Sequence, residues 1–130
     1  MDKKDLYYTH DHEWVDFRGS VAYVGVCAFK LKGIKHVQQI EFEINNGFKK
    51  CGEVLATVLS EDYSIPIHMP VEGKILNLNE LLLKDGYDIL LQQPEQNGWV
   101  ALIVPSSPYD RYGLLMPEQY KMNKMRKSHS

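Results

Sequence analysis

The chain has 130 residues, enough for one modest hydrophobic core and too few for two. Hydrophobic residues make up 44% and charged residues 25%, as in ordinary soluble domains, and the formal net charge of −2 favours neither nucleic acid nor an acidic membrane surface. No apolar run is long enough to cross a bilayer, and residues 1–14 lack the apolar stretch of a signal peptide. We therefore expect a single cytoplasmic domain over residues 1–130.

Alternation of apolar and polar residues predicts mainly β-structure. Turn residues separate the alternating segments, notably FRGS (17–20) and NNG (45–47). The spacing of eight to twelve residues between short strands favours a small sandwich or flattened barrel. The predicted strands are 20–26, the later part of 36–44, 53–60, 73–80 and 98–105, with an extended prolyl segment over 65–71.

Three segments have helical character. CAFKLKGI (27–34) predicts a short helical turn that ends at a glycine. ELLLKDGYDILLQQP (80–94) predicts a short turn followed by a strand-like or irregular passage that stops at Pro94. MPEQYKMNKMRK (116–127) predicts a C-terminal helix, because Pro117 lies near its start, Glu118 in its first turn, and basic residues at its end. Residues 123–130 are expected to form a flexible basic tail.

Residue types that carry chemistry are sparse. We expect Cys27 to be a buried hydrophobe and Cys51 to be exposed, since neither belongs to a redox or zinc pattern. His10 and His12 would share one side of a strand, but two ligands do not make a closed metal site, so no metal is expected. No nucleophile elbow, phosphate loop or zinc-protease motif is present, so the sequence predicts no enzyme and no catalytic residue.

Five motifs in one order cover about residues 7–122. They are YTHDHEWV (8–15), GSVAYVGVCAFKLKGIKHVQQIEF (19–42), GFKKCGEVLATVLS (47–60), MPVEGKILNLNELL (69–82), and GWVALI (98–103) followed by YGLLMPEQYKMN (112–123). Together they resemble the glycine cleavage system H protein family, whose members are lipoyl-carrying shuttle subunits. The resemblance implies a mainly β, lipoyl-domain-like barrel-sandwich of two small antiparallel sheets, with short helices and a C-terminal helix. It also implies a carrier lysine at the tip of an exposed hairpin.

The resemblance places an acid where the family has that lysine. The family hairpin reads E-S-V-K-A, and counting back from Pro70 and Gly73 aligns Ser60 with the serine, Glu61 with the valine and Asp62 with the lysine. The preceding strand gives the same register. Lipoate is attached through an amide to a lysine ε-amine, which a carboxylate cannot form. We therefore expect no lipoyl cofactor; along the sequence, the nearest lysines to the tip are 49, 50 and 74.

Two interpretations of the acidic tip remain open. Glu61 and Asp62 suit a solvated hairpin turn, and together with Tyr63 they also suit a surface that contacts a basic partner. His68 lies in the return arm, as a surface histidine or a pH-sensitive contact, and the resemblance places the H-E-W signature under the docking surface of the carrier arm. The candidate partner-binding residues are Ser60, Glu61, Asp62, Tyr63, His68, His12 and Glu13.

The sequence thus predicts a non-lipoylated homologue of the H protein. It would act as a binding, scaffolding or regulatory protein with glycine-cleavage or lipoate-handling enzymes, and it would bind neither nucleic acid nor membranes. The alternative is an authentic carrier of the aminomethyl group in glycine decarboxylation, with an atypical attachment site. The partner's identity and the oligomeric state stay open.

Overall fold

The structure is a computed structural model that describes residues 5–43, 47–83 and 86–128, with side chains to residue 123. It consists of nine described strands, two described α-helices and two short 3₁₀ turns. In chain order these are β1 (Asp5–Tyr8), β2 (Glu13–Arg18), β3 (Val21–Val26), a 3₁₀ turn (Ala28–Leu31), β4 (Gln39–Phe42), β5 (Phe48–Lys49), β6 (Val54–Leu59), β7 (Ser64–His68), β8 (Gly73–Leu78), a 3₁₀ turn (Glu80–Leu82), α1 (Asp88–Gln92), β9 (Ala101–Pro105) and α2 (Pro117–Ser128).

The strands form two antiparallel sheets. One has the order β1-β2-β3-β9-β8-β5 and the other the order β4-β6-β7. Within the second sheet β6 and β7 form a hairpin, in which Leu59 pairs with Ser64 next to the turn. The sheets bury a shared core because residues on one face of each sheet point inward, such as Ala56 and Val58 on β6 and Ala101 and Ile103 on β9. The predicted fold class is confirmed.

A second, smaller cluster of buried side chains lies beside the main core. It consists of Tyr8, Trp14, Cys27 and Tyr120, so it joins the first sheet to helix α2. Trp14 lies directly over Gly25, where an added Cβ would approach the indole ring to 2.6 Å. Only glycine leaves room for the indole at this position, and the ring fixes how the first strands meet the C-terminal helix.

The structure corrects one prediction of secondary structure. Residues 88–92, expected to be strand-like or irregular, form α1, because a helical turn places Leu90 fully inside the core. The run Ile89, Leu90, Leu91 is continuously apolar, so it shows neither the helical nor the strand periodicity of apolar residues. The burial of Leu90 therefore decided its conformation. The other predicted strands, the 3₁₀ turn after β3 and the C-terminal helix are confirmed.

Two further expectations fall partly outside the described residues. Residues 45 and 46 of the predicted NNG turn are not among them. Helix α2 continues to Ser128, and residues 129–130 are not described, so the flexibility of the tail stays a prediction. None of the described helices combines the length and the apolar character that crossing a membrane requires.

Candidate functional site

The tip of the β6–β7 hairpin is a four-residue turn whose centre is acidic. The backbone N–H of Ser60 donates to the carbonyl of Tyr63 at 2.9 Å, and the N–H of Tyr63 donates to the Ser60 hydroxyl at 3.2 Å. Glu61 and Asp62 occupy the two central positions and are exposed. Asp62 therefore lies at the apex of the hairpin.

A groove of about 470 Å³ separates this tip from the loop that follows the first 3₁₀ turn. Lys35 and His36 line the groove from the loop, and both are exposed. Glu61 and Asp62 line it from the hairpin, together with Tyr63, whose surface is 52% exposed. The groove thus presents acidic groups on one side, basic or titratable groups on the other, and an aromatic ring.

The lysine that shares a groove with the tip is not one of the lysines nearest to the tip along the sequence. Lys49 is buried, with 6% of its surface exposed, so its amine is not presented for modification. Lys35, distant from the tip along the chain, lines the same groove as Asp62. Sequence counting missed Lys35 because the approach of the two loops depends on the packing of the sheets. The turn itself, residues 60–63, contains no lysine.

A cluster of charged side chains lies at the other end of β7 and surrounds Glu13, which is 1% exposed. Oε2 of Glu13 pairs with the Lys30 ammonium and accepts the backbone N–H of His68 at 3.0 Å. Oε1 accepts the Thr9 hydroxyl at 3.1 Å. Asp11 completes the cluster: its carboxylate lies 2.9 Å from Lys30 Nζ and 2.6 Å from His68 Nδ1.

The electrostatics of the cluster keep Asp11 ionised. Its partial burial alone would raise the pKa of the carboxyl, but the hydrogen bond and charge of Lys30 outweigh burial and hold this pKa below its ordinary value. Atoms of metal-binding type on Asp11, Glu13 and His68 lie within 4.8 Å of one another. The Lys30 ammonium lies against both carboxylates and supplies a cation there, so we interpret the cluster as an ion-pair network.

A cavity of about 440 Å³ opens beside the cluster. Asp11, Glu13 and His68 form part of its wall, and apolar side chains form much of the remainder. The exposed thiol of Cys51 also lines the cavity, and its Sγ lies 3.4 Å from the carbonyl of Pro70. Cys27 is buried, so both predictions about the cysteines are confirmed.

The His10-Asp11-His12 segment is a turn, which corrects its interpretation as a strand. His12 has φ = 65°, and the backbone N–H of Thr9 donates to the carbonyl of Glu13 across the turn at 2.8 Å. The reversal separates the two histidines that a strand would have placed on one side. His12 Nδ1 is instead hydrogen-bonded to the hydroxyl of Tyr120 on α2 at 2.9 Å, and burial raises the pKa of that hydroxyl.

The predicted site residues therefore fall into three places. Ser60, Glu61, Asp62 and Tyr63 meet at the groove, His68 and Glu13 meet in the cluster, and His12 contacts α2. Because Glu13 is buried and hydrogen-bonded, it stabilises the interior and is not exposed to a partner protein. Sequence reasoning missed Lys30 and Lys35, since lysine is the commonest kind of surface residue and neither stands in a recognisable motif.

Comparison with known proteins gives consistent similarities. The family model described as Glycine cleavage H-protein matches residues 6–128. A probable glycine cleavage system H protein of Aeropyrum pernix is 36% identical over 118 residues, 91% of this chain and 82% of that protein. The glycine cleavage system H protein of Pelodictyon phaeoclathratiforme is 33% identical over 120 residues, 91% of this chain and 93% of that protein.

A solved structure extends the similarity to three dimensions. The crystal structure of a glycine cleavage system H protein from Mycobacterium marinum matches with a TM-score of 0.77, covering 95% of this chain and 99% of that one. The two sequences are 19% identical, so this likeness concerns the fold.

Proposed function

The chain belongs to the glycine cleavage H-protein family, and from that premise we propose that it is a member without lipoate. In this proposal it acts as a binding, scaffolding or regulatory protein alongside glycine-cleavage or lipoate-handling enzymes. It is a cytoplasmic protein, it catalyses no reaction itself, and its partners are proteins.

One observation carries this proposal: Asp62 lies at the exposed apex of the hairpin, where the family resemblance places the carrier lysine. Attachment of lipoate forms an amide between the lipoyl carboxyl carbon and a lysine ε-nitrogen. The Asp62 carboxylate offers no nitrogen and has a shorter stem of opposite charge. The hydroxyls of Ser60 and Tyr63 in the same turn have no adjacent general base among the described hydrogen bonds.

The groove beside the tip supports a role in binding. Glu61 and Asp62 make no hydrogen bond or ion pair within the described part of the chain, so both carboxylates are available to a partner. Tyr63 adds a half-exposed ring, a residue type that is enriched in protein interfaces. A protein that presents basic side chains fits this acidic face, and rim charges of this kind mainly govern the association rate.

A second candidate is a carrier whose lipoyl group is attached elsewhere. Lys35 is exposed and lies in the groove beside Asp62, whereas Lys49 is buried. In this alternative, Lys35 is therefore a better attachment residue than Lys49. The relatives named above are themselves called glycine cleavage system H proteins. The two candidates differ in whether the purified chain carries a lipoyl amide.

Mass spectrometry of the intact protein separates the candidates. Four proteins would be produced in lipoate-supplied cells that contain a lipoate-attaching enzyme: the wild type, Asp62→Lys, Lys35→Arg and the double variant. Each protein would then be digested to locate any adduct. We expect the mass of one lipoyl group on Asp62→Lys and on the double variant, and no increment on the wild type. A lipoyl group on the wild type contradicts the proposal, and its loss in Lys35→Arg would establish the second candidate.

Binding measurements test the scaffolding role separately. The purified glycine-cleavage enzymes and a lipoate-attaching enzyme would be titrated with the wild type, with Glu61→Lys and with Glu41→Lys, which reverses the charge of an exposed residue on β4. We expect at least one enzyme to bind the wild type, and Glu61→Lys to weaken that binding more than Glu41→Lys does. Failure of every enzyme to bind the wild type contradicts the role.

A further inference from the structure

We propose that His68, with Asp11, Glu13 and Lys30, forms a pH-dependent latch that holds the end of β7 against the turn between β1 and β2. The latch tightens when the His68 imidazole is protonated. This inference does not depend on the state of residue 62, and it therefore stands or falls separately from the proposed function.

The geometry makes His68 a polar link between the two sheets. Glu13 begins β2 in the six-stranded sheet, whereas His68 ends β7 in the three-stranded sheet. His68 reaches Glu13 twice, through its backbone N–H at 3.0 Å and through Nδ1 at 3.1 Å, and the same Nδ1 lies 2.6 Å from Asp11. Among the described residues of the cluster, loss of the imidazole contacts therefore leaves one hydrogen bond between these two segments, from the His68 N–H to the Glu13 carboxylate.

The charges explain why protonation matters. With a neutral imidazole, the two carboxylates of Asp11 and Glu13 face one ammonium, that of Lys30, and the cluster carries one excess negative charge. A protonated His68 balances it. Histidine is the side chain whose ordinary titration falls between pH 5 and 8. The pKa of Asp11 lies below its ordinary value, so this carboxylate stays ionised over that range.

Other titratable groups face the same space from neighbouring segments. His10 lies on the β1–β2 turn, Cys51 on the turn before β6, and Tyr112 on the loop before α2, and all three line the adjoining cavity. The shortest imidazole contacts are nevertheless those with Asp11 and Glu13, so these two carboxylates dominate the response.

The latch would control a defined opening. Three of its members, Asp11, Glu13 and His68, form part of the wall of the 440 Å³ cavity, which Tyr112, Gly113 and Leu114 also line. Release of the end of β7 would move His68, Met69 and Pro70 together, because they are consecutive in the same wall. The cavity is therefore expected to open more often when the imidazole is neutral than when it is protonated.

Amide hydrogen exchange of the full chain tests the latch at about pH 5.5 and about pH 8, because histidine side chains in general change charge between about pH 5 and 8. After correction for intrinsic exchange, we expect the His68 amide to be roughly 1.5- to fivefold better protected at the lower pH, the range of a part-exposed ion pair. The amide of Val100, which donates to the carbonyl of Val24 in the first sheet, serves as the internal reference.

Matched variants separate the latch from general acid effects. His68→Gln keeps a side-chain donor but removes the protonatable imidazole, so it should abolish the difference in protection between the two pH values. His36→Gln, at an exposed histidine in the tip groove, should retain that difference. Asp11→Asn, at a carboxylate whose side chain is 57% exposed, should reduce it without threatening the fold. Equal protection of the wild type at both pH values, or an unchanged difference in Asp11→Asn, overturns the proposal.

Discussion

The two ends of strand β7 differ sharply in how they are held. At Ser64 the strand leaves the tip, where three hydrogen bonds between Ser60 and Tyr63 define the turn and the acidic side chains are exposed. At His68 it enters a cluster in which a buried carboxylate joins β2, β7 and the first 3₁₀ turn. A span of five residues thus connects a weakly constrained end to a strongly constrained one.

This difference means that the side chain at position 62 can change while the fold is kept. At the tip, the side chain of residue 62 packs against nothing in the core, so its replacement costs little stability. In the cluster, removal of Glu13 would leave the largely buried Lys30 ammonium without its buried partner. The fold therefore depends on the cluster, while the chemistry of the tip can change independently.

The largest effect is expected from Glu13→Ala. It leaves Lys30, whose side chain is 11% exposed, without its buried partner and removes the acceptor for His68 and Thr9. We expect the free energy of unfolding to fall by about 3–5 kcal/mol. The matched change at the tip, Glu61→Ala, should stay within about 0.5 kcal/mol of the wild type in the same denaturant titration. Equal losses in the two variants would remove the distinction between the two ends.

A smaller loss is expected from Tyr120→Phe. It removes the hydroxyl that is hydrogen-bonded to His12 and leaves the ring stacked on Tyr8, with centroids 4.3 Å apart. We expect a loss of about 0.5–1.5 kcal/mol in unfolding free energy. Tyr112→Phe, at a tyrosine that is 94% exposed, is the control and should change nothing measurable. Similar values for both would mean that the His12 contact does not help to hold α2.

The pH dependence of Asp11→Asn sharpens the comparison further. Because the folded-state pKa of Asp11 is below its ordinary value of 3.8, its contribution is present above that value and is lost as the pH falls through the lower folded-state pKa. We expect Asp11→Asn to cost about 0.2–1 kcal/mol near neutral pH and nothing in strong acid. Asp62→Asn, which removes the same charge at the tip, is the control. A cost for Asp11→Asn that persists unchanged in strong acid would contradict the ion-pair interpretation.

The smallest effect is expected from Asp62→Lys. Since residue 62 is exposed at the apex and makes no described contact with the core, the unfolding free energy should change by less than about 0.5 kcal/mol. The variant thus restores an amine at the tip without altering the scaffold, which makes its lipoylation a clean measurement. A large loss on thermal unfolding would show that the tip is more constrained than its contacts indicate.

Much of the fold could be predicted because its signals are local. Strands β3, β6 and β8 alternate clearly, and turn residues separate them. The apex position of Asp62 also followed from the sequence, because a hairpin with fixed flanking motifs leaves one register. Helix α1 did not follow, since its apolar run has no period and only the burial of Leu90 selects a helix.

The sequence by itself determined the family, the strand order along the chain and the presence of an acid at position 62, because each depends on residue identity and short-range spacing. Only the tertiary structure decided that Glu13 is interior, that Lys30 and His68 converge on it, and that Lys35 shares a groove with Asp62. Those contacts join segments that lie far apart in the chain. Their formation depends on how the two sheets and the loops between them pack, and no local pattern of residues encodes that packing.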